Sequence, residues 1–142
     1  MIYKDRKQSS IEKKAKKTTG KIFTSKDIDP TILKTISYEY SGRDVLVELT
    51  TDEFTCVCPF SGLPDFANLT ITYTPSKLLI ELKSLKMYTI FFRNTGIFHE
   101  HLVNKFLEDF VRACKPRRAK ITGVFNPRGG ITTTVTREYR GR

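Results

Sequence analysis

The stretch FHEHLVNKFLEDFVRACKPRRAKITGVFNPRGGITTTVTREY, residues 98–139, decides the fold class. Its first part predicts a helix from Phe98 or His99 to about Cys114, because apolar residues recur at helical spacing and Pro116 would end it. The apolar face comprises Leu102, Phe106, Phe110 and Val111, with Glu108 and Asp109 pointing away. The second part predicts two strands, 118–125 and 131–139, joined as a hairpin by the turn residues 126–130.

Upstream of this helix, the chain reads mainly as strands. Residues 32–40 and 44–51 predict a first hairpin around Ser41-Gly42-Arg43, and residues 67–74 predict a further strand that stops at Pro75. Residues 53–66 predict a loop, since they include Pro59, Gly62 and Pro64. Residues 78–92 predict a short extended piece and then a helix from about Ser84. The order of strands, helices and strands predicts an α+β domain, with an antiparallel sheet and two helices packed on one face.

Composition and charge divide the chain into two parts. The 142 residues have a formal net charge of +10, and residues 1–26, with nine Lys or Arg against two Asp or Glu, account for +7 of it. We therefore expect a flexible basic arm over residues 1–26 and one folded domain over residues 27–142. An apolar content of 39% is lean for a self-contained domain, so we expect a homo-oligomer.

The compartment follows from what the sequence lacks. There is no apolar run of the length that a membrane span needs, and the charged opening residues precede no apolar signal segment. The three cysteines are an odd number, which favours reduced thiols over a disulfide framework. We expect a cytoplasmic protein without a membrane partner.

The segment FTCVCPFSGLPDF contains a candidate nucleophile and a candidate acid. Cys58 lies seven residues before Asp65, among turn-forming residues. A thiolate that attacks an electrophilic carbon needs a nearby proton donor, and this pair would provide both. By itself the pattern is more typical of a half-buried cysteine beside a turn-capping aspartate.

A zinc site is a second possibility for the same region. Cys56 and Cys58 form a C-x-C pair, and His99 and His101 form an H-x-H pair. The histidines converge only if the helix begins after them, because residues two apart on a helix diverge. A Rossmann or P-loop nucleotide site is excluded, since no two of the eight glycines form a G-x-G pattern.

Three further sets of polar residues have both a binding and a plain structural interpretation. The pair His99-Glu100 suits a purine-like ring, or a helix start favoured by the helix dipole. Glu81, Lys83 and Lys86 suit a phosphate site or a solvated helix face. Arg128 before Gly129-Gly130 is a turn residue first and an anion contact second.

Taken together, four stretches resemble the short, single-domain class of NADPH-dependent 7-cyano-7-deazaguanine reductases of the tunnelling-fold superfamily. They are EFTCVCPFSGLPDF at 53–66, ELKSLKMY at 81–88, FRNTGIFHE at 92–100 and FNPRGG at 125–130. The resemblance implies an NADPH-dependent reduction of the nitrile to an aminomethyl group in queuosine biosynthesis, a tRNA-modification pathway. It also implies a tunnelling fold in which strands join across subunits, with active sites at subunit interfaces.

The resemblance implies a role for each matched residue. Cys58 is implied to add to the nitrile carbon and form a thioimide, while Asp65 gives a proton to the nitrile nitrogen. The implied substrate-binding residues are Ile80, Glu81, Leu82, His99 and Glu100. The implied NADPH-binding residues are Lys83, Ser84, Lys86 and Arg128. No metal ligand is implied.

Two other functions fit parts of the sequence. One is a zinc-dependent, cyclohydrolase-like pterin enzyme on the same fold, which would use the C-x-C and H-x-H pairs. The other is an RNA-binding module that would use the basic arm and Arg128-Gly129-Gly130. Most of the positive charge lies in the arm, so we do not expect the folded domain to bind nucleic acid.

Overall fold

A computed structural model describes residues 21–141 of the chain. Its elements, in chain order, are β1 Thr35–Ser37, β2 Val47–Val57, β3 Pro64–Thr74, β4 Leu78–Ile80, α1 Leu82–Phe91, α2 His99–Cys114, β5 Arg118–Arg128 and β6 Ile131–Arg140. Within residues 21–141, no helix is both long enough and apolar enough to cross a membrane.

The main sheet is antiparallel, with strand order β2-β3-β5-β6, and β1 and β4 form a separate two-stranded sheet. In β3, alternate residues are buried, and Leu69, Ile71 and Tyr73 form part of the core on the helix side of the sheet. Both helices lie on that side, where Tyr88 of α1 packs edge-on against Phe106 of α2. The predicted α+β class, with two helices on one face of an antiparallel sheet, is confirmed.

Two of the local predictions are confirmed closely and two are wrong. Helix α2 and the hairpin β5–β6 lie within about three residues of their predicted bounds. The hairpin predicted around Ser41-Gly42-Arg43 does not form, because β1 pairs with β4, about 40 residues further along the chain. The loop predicted over residues 53–66 is mostly strand, since β2 continues to Val57 and β3 already begins at Pro64.

Helix α1 begins at Leu82 rather than at Ser84, because Glu81 caps it. The Glu81 carboxylate accepts hydrogen bonds from the backbone N–H groups of Lys83, at 2.8 Å, and Ser84, at 2.7 Å. These bonds satisfy two of the donors that a helix start leaves free. The Ser84 hydroxyl accepts from the Lys34 N–H at 2.9 Å, which ties α1 to the segment before β1.

Asp109, which was predicted to point away from the apolar face of its helix, is buried. Its Oδ2 accepts a hydrogen bond from the Tyr88 hydroxyl at 2.6 Å and lies 2.8 Å from the Lys105 ammonium. The aromatic ring of Tyr88 is itself fully buried. A polar group can occupy this position because both of its partners are supplied by the two helices that meet there.

The predicted basic arm, residues 1–26, lies largely outside the described residues. At its end, the Phe23 N–H donates to Asn94 O and the Gly96 N–H donates to Phe23 O, each at 2.8 Å. A 3-10 turn follows at Ser25–Asp27. Residues 21–27 therefore contact the body of the domain, and the division at residue 26 stays a prediction.

Candidate active site

Cys58 begins the tight turn that joins β2 to β3. The Cys58 N–H donates to Leu63 O at 2.9 Å, and the Gly62 N–H donates to Cys58 O at 2.8 Å. Gly62 has φ +72°, a conformation that glycine adopts without steric cost. The turn leaves the Cys58 side chain half-buried, whereas Cys56 and Cys114 are fully buried, and all three are free thiols.

A β-bulge decides which side of the sheet carries the cysteines. Thr51 pairs with Leu69 and Phe54 pairs with Ala67, so β2 has one more residue than β3 across this interval. The extra residue switches the alternation, and from Phe54 onward the even-numbered residues face the helices. Cys56, paired with Asp65, therefore lies on the helix side, and Cys58 follows two residues later.

The two neighbouring thiols have opposite electrostatic settings. Burial raises the pKa of Cys58, but donors outweigh it: the Ser61 backbone and hydroxyl, the Phe60 backbone and the Arg128 side chain together hold that pKa below its ordinary value. Burial, followed by the charge of Asp65, raises the pKa of Cys56 to about 12. Of these two thiols, Cys58 is thus the one whose surroundings favour the thiolate, the reactive form of cysteine.

Asp65 pairs with Cys56 across the sheet and shares the Arg128 side chain with Cys58, and its two carboxylate oxygens have different surroundings. The residue is 5% exposed. Its Oδ2 lies 3.2 Å from His99 Nε2, and its Oδ1 lies 2.9 Å from Arg128 Nη1. The arginine contact is close but not aligned as a hydrogen bond, so Oδ1 accepts none from the residues that the structure describes. A buried oxygen in that state has hydrogen-bonding capacity that a bound molecule can fill.

His99 opens α2, and its ring stacks on Phe125 of β5, with centroids 3.7 Å apart and planes at 6°. This stacking fixes the ring so that Nε2 points at Asp65. His101 instead packs edge-on against Phe98, so the H-x-H pair diverges. Among residues 21–141, no three His, Cys, Asp or Glu side chains form a group that could hold a metal ion.

A second bulge brings Arg128 to the same place. Phe125 pairs with Thr133 and Arg128 pairs with Ile131, so β5 has one more residue than β6 across this interval. Because Ile131 and Thr133 share a face, Arg128 shares the face of Phe125. The predicted phosphate contact therefore lies against Cys58 and Asp65, with 48% of its side chain exposed.

Glu100 follows His99 in α2 and is exposed, whereas the remaining predicted residues gather around the start of α1. Ile80 is buried, whereas Leu82, Lys83 and Lys86 are exposed. The hydrogen bonds from the Ser84 and Lys83 N–H groups hold the pKa of Glu81 below its ordinary value. None of the hydrogen bonds or ion pairs within residues 21–141 joins this group to Cys58.

A cleft of about 580 Å³ runs between α1 and the main sheet. Its charged side chains are Lys86 and Arg93 on one side and Glu48 and Glu53 on the other, and the hydroxyls of Thr50, Thr51 and Thr55 lie above apolar residues of α1 and β3. Cys58, Asp65 and His99 are not among the described residues that line it. Within one chain, the predicted site residues thus form two separate groups, a thiol group at the β2–β3 turn and a cationic group at α1.

Sequence reasoning missed two contributors to the thiol group. Ser61 donates to the Cys58 sulfur from its backbone and from its hydroxyl. Phe125 supplies the surface on which His99 stacks. Ser61 lies within the quoted motif, but no sequence signal marks it as a partner of Cys58. The alternation of apolar residues in β5 predicts that Phe125 is buried, but no sequence signal marks it as the partner of a distant histidine.

Comparisons with known proteins point in one direction. A family model described as QueF-like protein matches residues 64–142. The NADPH-dependent 7-cyano-7-deazaguanine reductase of Chloroherpeton thalassium is 52% identical over 110 residues, which cover 78% of this chain and 95% of that protein. The enzyme of the same name from Thermoanaerobacter pseudethanolicus is 49% identical, covering 79% of this chain and 84% of that protein. The crystal structure of the archaeosine synthase QueF-Like in the apo form is similar with a TM-score of 0.63 and 28% identity, covering 68% of this chain and 95% of that chain.

Proposed function

The chain belongs to the family of NADPH-dependent 7-cyano-7-deazaguanine reductases, and we propose that it catalyses the reduction for which these relatives are named. The enzyme is an oxidoreductase that converts the nitrile of 7-cyano-7-deazaguanine to the aminomethyl group of 7-aminomethyl-7-deazaguanine, in queuosine biosynthesis. About half of the aligned residues are identical to those of named reductases that this chain spans almost completely.

Cys58 is the nucleophile of this reaction. Its sulfur adds to the nitrile carbon, and the carbon–nitrogen triple bond becomes the double bond of a thioimide, which accepts hydride more readily than a nitrile does. The observation that carries the proposal is the setting of the sulfur: half-buried, with donors from Ser61, Phe60 and Arg128 that favour the thiolate. The same donors favour departure of the sulfur as a thiolate when the carbon–sulfur bond later breaks.

Asp65 is the proton donor to the nitrile nitrogen. When the sulfur adds, the nitrile nitrogen gains an electron pair and takes a proton from the Asp65 carboxyl. His99 occupies Oδ2, so Oδ1 is the oxygen that faces the nitrogen. NADPH, when bound, supplies hydride, and the conversion of a nitrile to a primary amine takes two hydrides and two protons.

The substrate base is held by groups on both sides of the site. His99 and Glu100 stand at the start of α2, where the Glu100 side chain is exposed and a carboxylate can accept from ring N–H groups. The segment Ile80, Glu81 and Leu82 borders the base from α1, with Leu82 offering an exposed apolar surface.

The cofactor phosphates are held by Lys83 and Lys86, with Arg128 as a further contact. The cleft beside α1 supports this assignment in part: Lys86 and Arg93 on its α1 side can contact phosphates, although Glu48 and Glu53 of β2 line the opposite side. Lys83 lies exposed at the start of the helix, free to reach a phosphate. The Ser84 hydroxyl is already engaged by Lys34 and by the Glu81 carbonyl, so we assign Ser84 a role in shaping this helix start.

The separation of the two groups supports active sites at the interfaces of a homo-oligomer. Helix α1 is about 15 Å long. Glu81 and Lys83 lie at the start of this helix. Gly96, which pairs with Val57 next to Cys58, follows the other end of the helix in the chain. Within residues 21–141, β2 and β6 form the two edges of the main sheet and pair with no further strand, so they can pair with other copies of the chain. A complete site then combines the thiol group of one subunit with the α1 group of another.

The covalent step can be tested before any reduction takes place. Purified protein is incubated with 7-cyano-7-deazaguanine without NADPH, and the intact mass is measured. We expect an increase by the mass of one substrate, which is absent in Cys58→Ala and slower to form in Asp65→Asn. Added NADPH should discharge the adduct as 7-aminomethyl-7-deazaguanine. A wild-type protein that turns over the nitrile with no adduct, or a Cys58→Ala variant that remains active, would show that the reaction takes another course.

A further inference from the structure

Arg128 is the one residue of the predicted cofactor set that lies among the reacting groups in the described part of the chain. Its guanidinium lies 2.9 Å from Asp65 Oδ1 and donates a hydrogen bond to Cys58. The bulge in β5 is what brings it there, since regular alternation would turn Arg128 to the opposite face of the sheet from Phe125. Bulges are common beside active sites, where they redirect one side chain.

The position solves an electrostatic problem in the thiol group. The titratable and charged groups around the Cys58 sulfur are Cys56 from β2, Asp65 from β3, His99 from α2 through its contact with Asp65, and Arg128 from β5. The charge of Asp65 opposes ionisation in this group, because it raises the pKa of Cys56, whereas the Arg128 side chain lowers the pKa of both Cys56 and Cys58. A cation that contacts Asp65 and acts on both thiols offsets this negative charge and also orients the carboxyl.

We propose that Arg128 is a catalytic residue for the addition step: its guanidinium stabilises the Cys58 thiolate and holds the Asp65 carboxyl beside it before any cofactor binds. The inference rests on the proposed function, because it concerns the nucleophile and acid of that reaction. It goes beyond a phosphate contact, which would leave the cofactor-free thiol unaffected. The exposed part of the guanidinium remains available to an anionic ligand, so the two roles are compatible in one residue.

Alkylation by iodoacetamide measures the thiolate without substrate or cofactor. The rate is followed across pH, and peptide mass spectrometry verifies that the label is on Cys58. Cys56 and Cys114 are both fully buried, so they should not react in the folded protein. In the wild type, the rate should rise with pH through an inflection below that of an ordinary cysteine, because the thiolate is the reactive form.

Arg128→Gln removes the charge and retains a similar side-chain length. We expect its inflection to move to higher pH and alkylation at neutral pH to slow by roughly fivefold, the order expected for one charge-assisted hydrogen bond at a partly exposed site. Arg128→Lys retains the charge and should fall between the two. Arg137→Gln is the matched control, since Arg137 lies on the neighbouring strand and pairs with Glu108 at 2.9 Å, away from Cys58.

The outcomes separate this inference from the proposed function. If Arg128→Gln and wild type have the same alkylation profile while both fold, as judged by circular dichroism, Arg128 does not act on Cys58. The nitrile adduct on wild-type protein is a separate measurement and can succeed in that case. Conversely, an upward shift in Arg128→Gln without any nitrile adduct on the wild type would support the role of Arg128 and overturn the covalent mechanism. An equal shift of the inflection in Arg137→Gln would also count against the inference, since the loss of any positive charge would then produce the same shift.

Discussion

Tyr88→Phe should destabilise the protein by about 2 kcal/mol, because it removes one hydrogen bond to a buried carboxylate. The Tyr88 hydroxyl donates to Asp109 Oδ2 at 2.6 Å, and the two residues are 0% and 4% exposed. Hydrogen bonds to charged groups contribute about 1.5 to 3 kcal/mol. Asp109 keeps the Lys105 ammonium at 2.8 Å after the change, which places the expected loss toward the lower part of that range.

The measurement is urea denaturation at one fixed protein concentration, which keeps any association between chains constant. The midpoint should fall while the slope of the unfolding free energy against urea stays the same. Tyr40→Phe is the matched control, since Tyr40 is 62% exposed and its hydroxyl should contribute less than about 0.5 kcal/mol. The double variant Tyr88→Phe with Asp109→Asn should cost less than the two single changes added together. A loss in Tyr88→Phe as small as in Tyr40→Phe would refute the assigned contribution of this bond between α1 and α2.

Three further changes test the site and the sheet. Ser61→Ala removes one donor to the Cys58 sulfur, so the pKa of the thiol rises; adduct formation with the nitrile should then reach half its maximal rate at a higher pH and be roughly fivefold slower at neutral pH. Cys56→Ala should retain the adduct, because burial raises the pKa of Cys56 to about 12 and keeps it protonated; loss of the adduct in a folded variant would contradict this. Gly123→Ala should lower thermal stability by about 1 to 3 kcal/mol, because its Cβ would lie 3.0 Å from the Phe125 ring, and an unchanged melting temperature would show that the ring can move aside.

The sequence predicts those parts of the fold that local patterns determine. Helix α2 has apolar residues at helical spacing over four turns, and the β5–β6 hairpin has alternation on both sides of a glycine turn, so both are predicted within a few residues. The pairing of β1 with β4 joins segments that are distant in the sequence, and no pattern in either strand identifies the other as its partner. Pro59, Gly62 and Pro64 predict a loop for the whole of residues 53–66. The turn itself occupies only residues 58–63, and the residues on both sides of it are strand.

The arrangement of the site depends on irregularities that alternation cannot reveal. A period of two assigns faces correctly within each regular stretch of β2, but the bulge after Thr51 reverses the assignment for Cys56 and for Cys58 beyond it. The bulge after Phe125 does the same for Arg128. Without its bulge, β2 would turn Cys56, and β5 would turn Arg128, to the face of the sheet opposite the helices. The chemistry proposed for this chain therefore depends on two single-residue insertions that occur in different hairpins and act together, which is why the thiol, the acid and the cation can be named from the sequence while their contact cannot.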